Sequence, residues 1–562
     1  MKSRLQRLLP DSSHNSQMQR TLIKFPEISI MWPDGRPEAK QIVRKETGWD
    51  IDLRLDDLVQ SMTLDRRYSA YIHQILLSLT TDTGVIEWRQ AILEDFLSNP
   101  TLTDMFSELL PRMQGLGQRS TALLGRRERG LLLEASDRLA ELDLYTETVV
   151  SMLSALKQSH LSSPGLIQLL RELEMLQNSE SFRNLQDQLP EMRAPFSKIA
   201  SLTVGINLDA QLRPRSAVLM AVNDVEIGEP ASFLERLVGI RDSEVDESGI
   251  APMHHVPGEK NQRILSPLFQ DLNRLMNQIA QPVTRELQRY TWLSSEPLIE
   301  LEFELAFFVG AARMVERLRD RGVSFCRPEI RPSAAREMVI EDLTNIALAL
   351  SEEKHLPVTS DVRFDESGRI GILTGPNSGG KTTYLQAVGL TQAMFQAGLN
   401  VPAKLALMSP VRTILTHFPA LETRRDGRLA EEASRLRRVF TFADAHSLIL
   451  LNETFSSTSA SEAIYLARDI LSAMRIIGLR ALYATHFSEL VEHIDQIEEN
   501  VSGSSRIFSL VAGIDTDEKG ESVATYRVVR GMPLGRSYAR QIALRYGISL
   551  DQIMSNQVYN NS

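Results

Sequence analysis

The sequence predicts a multidomain protein. A mostly helical region with a small β insertion precedes an α/β region built on a mostly parallel sheet. Three observations carry that expectation. The chain has 562 residues, too many for a single hydrophobic core. From about Asp52, apolar residues recur every three or four positions through successive long segments, the period of helices that bury one face. After Cys326 the texture changes, and short apolar runs alternate with helical patterns, as in parallel strands joined by helices.

Residues 1–45 mix prolines with polar clusters and are expected to form an N-terminal extension. MKSRLQRLLPDSSHNSQ lacks the apolar core of a signal peptide and reads as a mobile tail. PEISIMWPDGRPE places turn residues around a short strand-like piece. The helical region, assigned to residues 46–330, opens with LRLDDLVQSM, YSAYIHQILLSL and IEWRQAILEDFL. It continues through RERGLLLEASDRLAELDLYTETVVSMLSAL and GLIQLLRELEMLQ, whose few turn residues predict long helices packed as a bundle or lever. The β insertion is Ala200–Leu208 and Ser216–Val222, two strands joined by a polar connector, DAQLRPR. Helical patterning returns at SFLERLVGI and SPLFQDLNRLMNQIAQPVTRELQRY. It ends in LIELEFELAFFVGAARMVERLRDRG, apolar enough to be mostly buried. Two prolines in CRPEIRPSAA break the helix pattern, so residues 331–562 are assigned to the α/β region. Within it RIGILTG, SLILLNE and RALYATH each precede a helical pattern, and RIFSLVAGI with VATYRVVRG reads as an antiparallel pair.

Composition narrows the function classes. Cys326 is the only cysteine, which leaves no disulfide framework within one chain and suits a reducing cytoplasm. It reads as a small residue near an element end. No apolar run reaches the length of a membrane span. The net charge of −10 argues against a non-specific polyanion binder, so contact with nucleic acid has to come from local basic patches. The candidates are Gly125–Arg129, Arg424–Arg428 and Arg435–Arg438. Each sits beside Asp or Glu, so a solvated helix face with internal ion pairs is an equal reading.

Gly375-Pro376-Asn377-Ser378-Gly379-Gly380-Lys381-Thr382 matches G-x-x-x-x-G-K-[ST] between an apolar strand and an apolar helix. The glycines let backbone N–H groups point at phosphate oxygens, and the helix N-terminus adds partial positive charge. Lys381 is expected to reach the β- and γ-phosphates, and the Thr382 hydroxyl to coordinate Mg²⁺. A chance match in a glycine-rich turn is the plainer alternative; the strand before and helix after weigh against it. SLILL then ends in Asn452-Glu453, where phosphate-loop ATPases use a neighbouring strand to carry a metal-side acid and, in one branch, a catalytic Glu. Glu453 fits the general base. Asn452 stands where the metal-side acid is expected; its amide oxygen accepts a hydrogen bond from metal-bound water but carries no full charge, so weaker Mg²⁺ binding is expected. RALYATH brings Thr485-His486 to the tip of another strand, where His486 would sense the γ-phosphate.

TGPNSGGKTTYLQAVGL, LILLNETFSSTS and ATHFSEL together resemble the MutS family of DNA mismatch-repair ATPases, a branch of the ABC-type ATPases. SYARQIALRYGIS is similar to the family's C-terminal dimerisation segment, and Thr458-Ser459 to its loop that crosses to the partner subunit. The resemblance covers about residues 46–562 and is strongest over the ATPase. It implies ATP and Mg²⁺ as cofactors, with Gly375 to Thr382 and Thr383 binding the nucleotide. It implies Thr382 and Asn452 at the metal, and Glu453 and His486 in catalysis. It further implies a cytoplasmic homodimer that clamps branched or damaged DNA in repair or recombination. Three departures are expected: no mismatch-reading domain before the ATPase, no nuclease-like domain after it, and no Ser in Asp426–Glu432, where the family carries its trans-acting signature. Asn452 and the missing Ser keep an alternative open, a nucleotide-gated scaffold with little hydrolysis that acts on a protein or ribosomal partner. A metabolite kinase fits less well, because Glu453, the Thr-Ser loop and His486 suit a hydrolase.

Overall fold

The computed structural model describes residues 29–35, 48–124, 131–197, 201–225, 281–290, 295–351, 355–419, 428–516, 522–533 and 553, apart from 212–213, 224, 282, 288–289, 377–378 and 457. It divides into two compact units. One draws on Glu108–Ala155 and Leu170–Glu302, the other on Ile28–Ser107, Leu156–Leu169 and Phe303–Ser562. The longest helices span Pro100–Leu124, Leu131–Lys157 and Glu296–Asp320, in line with the helical periodicity.

In the first unit, Tyr145 and Phe182 meet in the core with ring centroids 6.4 Å apart, among buried Leu142, Val149, Leu173 and Leu185. Glu141 is buried there with its charge answered by Arg138 at 2.5 Å and the Ser295 hydroxyl at 2.7 Å. The β insertion is present as β1 (Ser201–Leu208) and β2 (Pro214–Asn223), an antiparallel pair. SFLERLVGI and most of SPLFQDLNRLMNQIAQPVTRELQRY lie outside the described residues.

The second unit begins with residues 29–35. The strand-like reading of this piece is corrected: no strand forms among its described residues. The backbone donors are committed elsewhere. The N–H groups of Ile30 and Met31 and the Ser29 hydroxyl all donate to the buried Glu304 carboxylate, at 2.7, 3.1 and 2.8 Å. The tail MKSRLQRLLPDSSHNSQ lies outside the described residues. Short helices follow, among them Trp49–Asp52, Leu55–Met62, Arg66–Ser78 and Thr83–Ser98. Asp65 and Asp82 cap the last two by accepting first-turn N–H groups.

Two sheets complete this unit. β3 (Glu329–Ile330), β4 (Met338–Leu343), β5 (Ser360–Phe364) and β7 (Leu405–Met408) form one, in the order β3-β7-β4-β5. β6 (Ile370–Thr374), β8 (Thr413–His417), β9 (Ser447–Asn452), β10 (Arg480–Thr485), β11 (Ile507–Thr516) and β12 (Ser522–Arg530) form the other, in the order β12-β11-β6-β10-β9-β8. All its pairings are parallel except β11 with β12, as the sequence predicts. One expectation changes. β9 does not neighbour the phosphate-loop strand β6; β10 lies between them. The helix Ala460–Ile477 closes one face by setting Ala463, Ala467, Leu471 and Met474 in a core with Ile372, Ile449 and Leu451. The helix Lys381–Gln396 is buried along almost its whole length. Its Gly389 permits this, since a Cβ there would come within 2.3 Å of Leu53 and 2.9 Å of Leu450.

Candidate nucleotide site

β6 ends at Thr374, and the chain turns through Gly375 at φ +143° and Gly380 at φ +84°, conformations that favour glycine. A Cβ at Gly375 would lie 2.8 Å from the Ala512 methyl. Gly380 starts the helix Lys381–Gln396 without a side-chain cap, so the orphan N–H groups of the first turn are left for a ligand. Lys381 is buried. Its Nζ donates to Gly375 O at 2.8 Å and Pro376 O at 3.0 Å, and lies 3.1 Å from Glu453 Oε1 as an ion pair. Gly379 N–H donates to Pro376 O, and Thr383 O accepts from the Asn345 amide. Asn377 and Ser378 lie outside the described residues.

At the tip of β9, Asn452 is 6% exposed and its Oδ1 accepts from Thr382 Oγ1 at 3.1 Å, which brings the two expected metal-side residues together. Glu453 follows at φ +48°, in the left-handed region, with its N–H donated to Ala484 O. Such a conformation in a residue with a Cβ stores strain and concentrates at functional sites. Glu453 Oε2 lies 2.6 Å from His486 Nδ1. A carboxylate only accepts, so Nδ1 carries the proton. Lys381, Glu453 and His486 converge from the loop, β9 and β10, all at the C-terminal edge of the sheet.

These groups fit a nucleoside triphosphate with Mg²⁺. A Cβ at Gly375 has no room, the buried Lys381 ammonium has carbonyls and one carboxylate as partners among the described residues, and Thr382 and Asn452 offer hard oxygen donors. Among the described residues there is no group of three or more His, Cys, Asp or Glu that could hold a metal ion.

Sequence reasoning did not identify the neighbouring cavity. It measures about 570 Å³ and runs from Thr382 and Thr383 past Asn345, Leu356, Val358 and Tyr526. Leu356 and Val358 leave about half their surface open, and Tyr526 stands at φ +58° on β12. An apolar slot with an aromatic ring beside a phosphate loop suits a nucleoside base. The only signal in the sequence was an unpaired apolar stretch, Leu356-Pro357-Val358, ahead of β5.

Other expected residues have different surroundings. Ser459 caps the helix Ala460–Ile477, and Thr458 and Ser459 both bond the Glu462 carboxylate, which holds its pKa below the ordinary range. Within Asp426–Glu432, residues 426–427 lie outside the described residues, and Glu432 Oε2 accepts the Phe455 N–H at 3.1 Å. Arg437 and Arg438 are exposed, and Arg435 is half-buried. The basic cluster Gly125–Arg129, residues 424–427 of the cluster Arg424–Arg428, and the segment SYARQIALRYGIS lie outside the described residues. Cys326 is half-buried, in a bridge to Val401, and burial pushes its thiol up to about 11.

A phosphate loop, a Glu and a His at the C-terminal tips of a mostly parallel sheet define a nucleotide-binding α/β domain of the phosphate-loop class. The chain belongs to the MutS family: the model of the MutS2 N-terminal domain matches residues 81–321 and that of MutS domain V matches residues 371–556. It is 30% identical over 320 residues to "Endonuclease MutS2" of Thermomicrobium roseum, a match that covers 53% of this chain and 38% of that protein. It is 28% identical to "DNA mismatch repair protein MutS" of Acetivibrio thermocellus, over 48% of this chain and 32% of that protein. It is 26% identical to the MutS of Synechococcus elongatus, over 74% of this chain and 49% of that protein. In each case less than half of the relative is covered. Among the described residues no helix is long and apolar enough to cross a membrane.

Proposed function

We propose that the chain binds and hydrolyses ATP and couples the nucleotide state to DNA binding, as a dimeric clamp in DNA repair or recombination. In this reading residues 46–330 are the helical core and lever region, and 331–562 the ATPase with its dimerisation segment. The observation that carries it is Glu453, held between Lys381 and His486 beside the phosphate loop. Lys381 turns from the loop carbonyls toward the β- and γ-phosphates. Glu453 takes the proton of the attacking water, and His486 fixes the carboxylate's direction. Thr382 and Asn452 would hold Mg²⁺, which supplies charge neutralisation at the phosphates. The names of the relatives, an endonuclease and a mismatch-repair protein, support DNA as the partner.

The test is ATP turnover together with binding to duplex, mismatched and branched DNA, for wild type and Glu453→Gln. General-base loss predicts a fall in turnover of about 10²- to 10⁴-fold. DNA affinity should change between the ATP and ADP states. No DNA binding in any nucleotide state defeats the clamp. Asn452 favours a second reading, because the metal side of the site lacks the expected charge. There the chain is a nucleotide-gated scaffold for a protein or ribosomal partner, and wild type and Glu453→Gln share the same background turnover.

A further inference from the structure

The turn that carries Glu453 is strained and is held by side chains from three elements. Glu453 has φ +48° and Phe455 φ +65°, both in the left-handed region that residues with a Cβ occupy at a cost. Between them Thr454 is buried. Its hydroxyl lies 3.1 Å from His417 Nδ1 at the end of β8. Its carbonyl accepts the Tyr483 hydroxyl of β10 at 3.2 Å. The next N–H, on Phe455, donates to Glu432 on the helix Arg428–Phe442.

His417 is the unexpected member of this set. It is 2% exposed, and its Nε2 has no hydrogen-bond partner among the described residues. A buried ring nitrogen without a partner calls for a role. Among the described residues, the side chain that hydrogen-bonds the ring is Thr454, the residue immediately after Glu453.

We propose that His417 is a positioning residue that acts through the Thr454 hydroxyl, fixing the turn that aims Glu453 between Lys381 and His486. The proposal rests on the reading of Glu453 as the catalytic base. His417 acts on the backbone of the turn, through Thr454. It holds a backbone that would otherwise relax from its left-handed conformation, and a relaxed turn displaces the carboxylate from the water it activates.

Three single variants and one double variant test it. His417→Leu removes the ring nitrogen, His417→Asn returns a polar atom at the distance of Nδ1 from the backbone, and Thr454→Val deletes only the hydroxyl. Amide exchange over residues 451–459 is followed by mass spectrometry in the nucleotide-free protein, and ATP hydrolysis is measured alongside. Faster exchange is expected in His417→Leu and Thr454→Val, with kcat about tenfold lower and KM within about twofold of wild type. His417→Asn should restore both readouts. The double variant His417→Leu/Thr454→Val should be no worse than either single one, because both remove the same contact. Unchanged exchange overturns the proposal, and so do additive losses or a kcat defect that Asn fails to rescue. Should His417→Leu not fold, the nearly isosteric Thr454→Val carries the same comparison. If wild type turns over no faster than Glu453→Gln, the hydrolytic reading fails, and exchange alone decides whether His417 holds the turn.

Discussion

Two strands of the main sheet end in the same three residues. β8 ends Thr416-His417 before Phe418, and β10 ends at Thr485 before His486-Phe487. They flank β9 on either side. One histidine is 41% exposed and bonds the Glu453 carboxylate; the other is buried and bonds the Thr454 hydroxyl. Register accounts for the difference. His417 pairs with Leu451, whereas Ala484 pairs with Asn452, which sets His486 three positions further along. At about 3.3 Å per residue, that is a depth of about 10 Å. The same letters thus give one histidine at the mouth of the site and one beneath it. Identity of motif does not give identity of role; level in the sheet does.

The largest expected effect separates the two histidines by pH. Burial, with the Arg435 charge adding to it, lowers the His417 pKa to about 4, against an ordinary value of 6.5. Above pH 6.5 the ring is neutral in the folded and unfolded chain and contributes no pH dependence. Below that the unfolded chain takes up a proton that the folded chain refuses. Stability is therefore lost as the pH falls from about 6.5 to about 4, by roughly 3 kcal/mol in all. Asp52 lies on the same edge, bonded by Thr416, and burial raises its pKa, which works in the opposite sense. The difference between wild type and His417→Asn isolates the histidine. Of the urea midpoints measured between about pH 4.5 and 7.5, that of wild type should fall relative to that of His417→Asn toward the acid end, and parallel curves would break the comparison.

A smaller effect is expected at the other histidine. His486→Ala removes the partner that orients Glu453 but leaves the carboxylate and Lys381 in place. Turnover should fall about tenfold, or about 1.4 kcal/mol, with stability nearly unchanged, since the ring is exposed. Steady-state kinetics and a thermal melt on one preparation check both halves. A loss of stability larger than the loss of turnover would give His486 the structural role assigned to His417.

How much of this was legible beforehand follows from the same contrast. The phosphate loop, Glu453 and His486 were readable because spacing along the chain encodes a loop between strand and helix. The role of His417 was not, because depth in the sheet depends on the pairing of β8 with β9. β4, β5 and β7 also escaped notice. MVIEDL and SDVRF interleave charges with apolar residues, LALM is only four residues long, and none has the full apolar run that marked β6, β9 and β10. The cavity beside the phosphate loop draws Asn345, Leu356 and Tyr526 from separate strands and loops, which no local pattern brings together. The N-terminal piece looked strand-like because its partner, Glu304, lies 274 residues from Ile30.

The smallest effect concerns the tip of β9, between the two histidines. Asn452 accepts a hydrogen bond from Thr382 through a neutral oxygen. Asn452→Asp keeps the shape and the acceptor while adding a charge where Mg²⁺ would be held through water. The added carboxylate would be buried, and its desolvation works against the gain. The net expectation is therefore modest: at limiting Mg²⁺ turnover should rise about threefold, or about 0.7 kcal/mol. At saturating Mg²⁺ the two proteins should run together, because the substitution changes metal affinity and not the base. A Mg²⁺ titration of ATP turnover reads this directly. An equal gain at all Mg²⁺ concentrations would place the effect on Glu453. No gain at any concentration would mean that the amide already serves the metal as well as a carboxylate does at this tip.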